Sequence, residues 1–199
     1  MLLTISGLAG FAFAETKGYY ETGEVKFEYN YVNGVQDGVN KDYYKNGKVK
    51  AERTYKNGKL EGISKEYYED GKLKLECEYV KGKKEGTYKD YYKSGALKTE
   101  RQFKDGKLEG ISKRYYRTGE LYRENHYSNN KLHGVFNYYA KNGTLLEAQL
   151  YKEGKRHGIN KEYYDTGELR FEYNYVNGKL EGVSREYYKN GKLKAEWLY

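Results

Sequence analysis

Short runs rich in tyrosine, valine and isoleucine alternate with charged turn residues along almost the whole chain. The runs are eight or nine residues long and are bounded by signals such as Lys45-Asn46-Gly47 and Lys56-Asn57-Gly58. Asn-Gly between runs of alternating character is a strong hairpin signal. The pattern predicts two strands per unit, about fifteen in all, joined as a meander. The expected fold is all-β: an elongated, twisted, mostly single-layer antiparallel sheet of 24-residue β-hairpin repeats.

Glycines carry the period. Gly23, Gly47, Gly71, Gly95, Gly119, Gly143, Gly167 and Gly191 are each 24 residues apart. A second series runs Gly34, Gly58, Gly82, Gly106, Gly154 and Gly178, with Asn130 filling its gap; Asn also tolerates positive φ. A third runs from Gly38 to Gly182 on the same step. A period this strict marks a repeat architecture stabilised by contacts between neighbouring units. Residues 15–199 form the expected repeat domain, a partial first unit followed by seven from about residue 38.

Charge pairs suggest a register. With three-residue loops and glycine in the left-handed position, residue 42 faces residue 50. Asp42 then meets Lys50, Glu66 meets Lys74, Asp90 meets Lys98, Glu162 meets Arg170 and Glu186 meets Lys194. Where the acid is lost the base is lost too: Arg114 faces Tyr122, and Tyr138 faces Leu146. This register sorts the faces. One is expected to carry Ile63, Tyr67, Leu73, Leu75, Tyr79 and their equivalents, with the Lys41-type column laying its stems over the rings. The other is expected to carry the acid–base pairs, a glutamate column from Glu28 to Glu196 broken by Ala148, and the Tyr68 column. In that column Tyr44, Tyr68, Tyr92, Tyr116, Tyr164 and Tyr188 are the candidate interaction surface.

Composition narrows the picture. Charged residues make up 33% and the hydrophobic set only 37%, much of it the 27 tyrosines. So few aliphatics build no thick dry core, and tyrosine keeps its hydroxyl bonded or wet. The absence of proline suits long ladders. A lone Cys77 excludes an internal disulfide framework. A net charge of +8 favours anionic partners in general.

Met1–Ala14 carries no charge and ends Ala12-Phe13-Ala14 before Glu15. It fits a secretory signal cleaved after Ala14, although no Lys or Arg precedes its apolar stretch. The mature chain is then expected outside the cytoplasm, in the periplasm, outer membrane or cell surface. A chain in which residues 1–14 are not a signal would be cytoplasmic. The chain ends in a strand at Glu196-Trp197-Leu198-Tyr199, an edge suited to edge-to-edge self-association.

The unit seen at Tyr67–Gly86 and Tyr187–Tyr199 resembles the bacterial variant of the MORN repeat, and Lys131–Gly134 and Gly154–Gly158 resemble the MORN signature more generally. Chains of this kind are similar to antitoxins of the YwqK family. The resemblance covers roughly residues 19–199. It implies antiparallel hairpins in a curved sheet, binding to proteins or lipids, and no catalysis.

No catalytic constellation stands out. His133 and His157 share a column with Glu109 and Glu181, so spacing alone explains them, and a metal needs three or four ligands. Cys77 takes a position held elsewhere by Arg53, Arg101, Tyr173 or Trp197 and reads as a filler. The glutamate column could suggest glycoside hydrolysis, yet it marks no unique pair. No glycine forms a phosphate-binding fingerprint, and no cofactor is implied. Aromatic and basic columns together could stack single-stranded nucleic acid, but the near balance of Glu and Lys argues against it. The expected function is a non-catalytic, exported scaffold that binds a protein partner. Alternatives are an antitoxin or immunity protein neutralising a cognate toxin, and a binder of anionic lipid or cell-wall polymer.

Overall fold

The computed structural model describes residues 2–8 and 11–199, with side chains from residue 12 onward. Among these residues every regular element is a β-strand, in twenty-one segments. The chain forms two compact units, Met1–Ala96 with Phe103–Gly106, and Leu97–Gln102 with Lys107–Tyr199. Within each unit the strands pair antiparallel as successive hairpins, so the all-β hairpin-repeat fold holds. Of the expected signal segment, Met1, Ala9 and Gly10 lie outside the described residues. The backbone of Leu2–Leu8 pairs with Phe11–Tyr19, which pairs in turn with Val25–Val32.

Two turn types alternate. At the first, Tyr68 N–H donates to Lys72 O (2.8 Å) and Gly71 N–H to Tyr68 O (2.8 Å). That is the expected three-residue loop, with Gly71 at φ 93°. The second turns differ from expectation. Lys56 pairs with Lys59, leaving a two-residue loop in which Asn57 (φ 49°) and Gly58 (φ 75°) are both left-handed. This is the type I′ geometry, whose twist matches that of the flanking strands.

The register near the first turn is also corrected. Tyr43 pairs with Val49, but Asp42 pairs with Ala51, because a β-bulge places both Lys50 and Ala51 opposite Asp42. The same bulge sets Glu66 opposite Leu75 and Glu186 opposite Ala195. Arg114 pairs with Arg123, and Tyr138 with Glu147. Expected ion pairs still form from the bulged residue at Lys74–Glu66 (3.3 Å) and Lys194–Glu186 (2.8 Å). Asp42 instead meets Arg53, at 2.7 Å.

One extra residue exchanges part of each face, since side chains alternate along a strand. Leu75 and Tyr79 move from the Ile63–Tyr67–Leu73 face to that of Tyr68 and Glu66. The glutamate column moves the other way and lies opposite the lysines: Lys41 pairs with Glu52, Lys65 with Glu76 and Lys161 with Glu172. Lys41–Glu52, Lys113–Glu124 and Lys161–Glu172 close at 3.7 Å each. The Lys41 column therefore meets carboxylates across the strand and is not confined to resting on rings. Each such pair stabilises the sheet by roughly 0.2–1 kcal/mol.

Every buried side chain among the described residues lies on the other face, termed inner here. They are Ala51 and Cys77 with Asn40, Ser64, Thr99, Ser112, Asn125, Gln149, Asn160 and Ser184. Small residues sink between large rings such as the stacked pairs Phe27–Tyr29 (4.5 Å) and Phe171–Tyr173 (5.5 Å). Gly62 (φ 76°) opens a second irregularity in each unit. Tyr55 pairs with Leu60 but Glu52 with Lys65, so two residues are in excess on the second strand. Polar side chains repair the gap. Asn40 Oδ1 accepts Asn30 N–H (2.7 Å), and Asn160 Oδ1 accepts Leu150 N–H (2.8 Å).

Candidate functional site

Recurring polar groups tie one repeat to the next. The hydroxyls of Tyr20, Tyr44 and Tyr68 donate to the carbonyls of Tyr43 (2.7 Å), Tyr67 (2.7 Å) and Tyr91 (2.6 Å). In the second unit Tyr116 and Tyr164 reach Tyr139 (2.9 Å) and Tyr187 (2.8 Å) in the same way. Acids at the unit edges form a second ladder. Asp37, Glu61, Glu85 and Glu109 accept the backbone N–H of Asn57, Lys81, Asp105 and Asn129, at 2.8–2.9 Å. Each accepting carboxylate holds a left-handed residue of the next two-residue turn.

Of the candidate interaction tyrosines, Tyr44, Tyr68, Tyr116 and Tyr164 thus hold the repeats together through their hydroxyls, while their rings stay on the inner face. Tyr92 closes the loop to Ala96 through its backbone N–H (2.8 Å). Tyr188 is 50% exposed, with Lys194 Nζ 5.8 Å from its ring centre.

In the first unit, Tyr20 and Tyr44 join Lys26, Lys50, Lys74, Asp42, Arg53 and Glu66 around a cleft of about 220 Å³. Arg53 organises it. Its guanidinium donates to Asp42 (2.7 Å) and to Glu66 (3.3 Å). Asp42 also accepts the hydroxyl of Tyr29 (2.7 Å). Burial and that bond push Tyr29 up to about 12. Lys26 and Lys45 each lie 5.8 Å from the Tyr20 ring centre, and Lys50 lies 5.9 Å from that of Tyr44. The cleft is thus aromatic and basic. Lys50 and Arg53 were missed as site residues at the level of sequence. The available signal was the departure of Arg53 from Cys77, its counterpart one unit on.

The second unit contains a like-charged pair. Glu147 and Glu162 are direct cross-strand partners. Burial and Glu147 raise the Glu162 carboxyl above its ordinary value, against the pull of Arg156 and Arg170. The corresponding pairs elsewhere are Phe27–Asp42, Ala51–Glu66 and Phe171–Glu186.

His133 Nδ1 lies 3.4 Å from Glu153 Oε1, at the edge of a turn. No group of three or more His, Cys, Asp or Glu could hold a metal ion among the described residues. Cys77 is buried, and burial raises its thiol above the ordinary range, which disfavours a thiolate nucleophile.

Latched antiparallel hairpins, repeated along the described residues, define a repeat protein. Residues 14–33, 36–57, 60–81, 84–105, 108–129, 156–177 and 180–199 match the profile of the MORN repeat variant, and the chain belongs to that family. Repeats of this family are generally non-catalytic and mediate protein or membrane interactions. The unmatched stretch between 129 and 156 is the unit in which Tyr138, Ala140, Leu146 and Ala148 replace the column residues. No curated protein matches the chain.

Proposed function

We propose that this chain is a non-catalytic scaffold that docks a protein partner on its outer face. The supporting observation is a column of β-branched residues of which Val39, Ile63, Ile111 and Ile159 are exposed, while Thr87, Val135 and Val183 are half-buried. Val39 (40% exposed) and Ile63 (56%) lie in the first unit, and Ile111 (41%) and Ile159 (50%) in the second. The Lys–Glu ladder flanks each of them. Apolar groups rimmed by charge are the makeup of a docking surface, whereas isolated exposed aliphatics carry no such meaning. Within a unit, successive members stand two strands apart, roughly 9–10 Å.

Export to the cell envelope is part of the proposal and rests on the uncharged Met1–Ala14 segment. A toxin is one partner of the required kind, in keeping with the resemblance to antitoxins. Cross-linking on intact cells tests the docking: the wild-type chain captures a defined protein, and Val39→Asp/Ile63→Asp loses it while keeping its fold. Capture that survives this change refutes the outer-face site. A mature N-terminus at Glu15 in an envelope fraction supports export; an intact Met1 in the cytoplasm overturns it. Deleting the gene alone and with its neighbours tests the toxin reading, which fails if no toxicity is relieved by this chain.

A further inference from the structure

We propose that the inner-face cleft of the first unit is a separate binding site for an extended acidic peptide segment, its carboxylates received by Lys26 and Lys50. The argument begins with the bulge. Lys26, Lys50 and Lys74 are the same bulged residue in successive repeats, and all three line the cleft. Only one of them has its carboxylate. Lys74 keeps Glu66 at 3.3 Å. Lys50 has lost Asp42 to Arg53, which binds that carboxylate at 2.7 Å. Lys26 lies at a bulge opposite Gly18, which offers no side chain. A Cβ there would come within 2.1 Å of the Phe27 ring, so the packing keeps any acid out.

The result is local and asymmetric. Arg53 engages both acids of the cleft, Asp42 and Glu66, and with no acid possible at Gly18 two exposed ammonium groups, Lys26 and Lys50, stand over aromatic rings. Lys45, which also acts on the Glu24 carboxylate, lies beside Tyr20. Where Cys77 replaces the arginine, the Lys74–Glu66 pair survives; the arginine therefore creates the surplus at Lys50. In the second unit Lys194 is neutralised by Glu186 at 2.8 Å.

Spacing and chemistry select the ligand. Equivalent residues two strands apart repeat at roughly 9–10 Å. A polyproline II chain rises about 3.1 Å per residue with three residues per turn, so acids three residues apart meet this step on one side. The exposed apolar groups Val39 and Ile63 lie on the opposite face, and the aliphatic residue lining the cleft, Ala51, is buried and unavailable for insertion into a bilayer. The site is independent of the outer-face docking proposed above.

Titration calorimetry of the full chain tests this with a proline-rich peptide bearing two glutamates about three residues apart. Binding is expected, weakening as salt screens the charges. Lys26→Gln and Lys50→Gln should each lower affinity about fivefold or more, and Lys74→Gln less than about twofold. Arg53→Met should also weaken binding, because Asp42 is then free to neutralise Lys50. Circular dichroism checks the fold, and the single Lys50→Gln change at an exposed position carries the test if a double variant fails to fold. Val39→Asp/Ile63→Asp should leave peptide affinity unchanged. No heat up to millimolar peptide, affinity indifferent to Lys26 and Lys50, or binding only to vesicles of anionic lipid overturns the proposal without touching the outer-face reading.

Discussion

The hydroxyl of Tyr68 donates to the carbonyl of Tyr91 at 2.6 Å, joining a turn of one repeat to a strand end of the next. Tyr188, in the same column, is 50% exposed. Tyr68→Phe should therefore cost about 0.5–1.5 kcal/mol, the net worth of one hydrogen bond. Tyr188→Phe should stay within about 0.5 kcal/mol of wild type. Urea unfolding of the two variants side by side measures the difference. Equal losses would show that the bond does not couple repeats.

Gly18→Ala should destabilise by about 1–3 kcal/mol through overpacking, since the added Cβ meets Phe27. Phe27→Leu should relieve part of that clash. A double-mutant cycle read by thermal melts should show coupling of at least about 0.5 kcal/mol. Simple additivity would place the strain elsewhere.

Glu162→Gln should stabilise the chain at neutral pH by roughly 0.2–1 kcal/mol, the size of a like-charge cross-strand penalty. The sign follows from linkage. Burial and Glu147 raise the folded carboxyl above its unfolded value. Its contribution to stability is full below the ordinary glutamate range, and is lost as pH rises through the raised folded value. The gain from Gln should therefore vanish near pH 3, where both states hold the proton. Melting curves at the two pH values decide it.

Alkaline titration should show a late tyrosine step. Tyr29, Tyr43 and Tyr173 are pushed up to about 12, chiefly by burial, with Asp42, Glu28 and Glu162 adding to it. The stability tied to these hydroxyls is whole below about pH 10 and is lost as pH rises through the folded values. Tyrosinate absorbance should rise in two stages, and Tyr43→Phe should diminish the second. A single stage at the ordinary value would contradict the buried hydroxyl bonds.

Much of this was legible from residue spacing. Gly71 and Gly58 announce their turns because each turn needs a left-handed backbone, and that need is local. The joint loss of acid and base in the Glu66–Lys74 column also reported a true proximity. It misled about register, because a bulged residue and the residue after it both oppose the acid. Opposing charges cannot distinguish those two cases, and the error carried Leu75, Tyr79 and the glutamate column to the wrong faces.

By itself the sequence determined the period, the hairpins, the all-β class and the MORN kinship, since all four follow from turn chemistry and alternation within a few residues. Only the tertiary structure decided which lysines keep a carboxylate. That choice depends on a guanidinium reaching across strands from Arg53 to Asp42 and Glu66, and on the Phe27 ring closing the space at Gly18. Both are contacts between neighbouring strands, and a column of letters does not rank competing partners for one carboxylate.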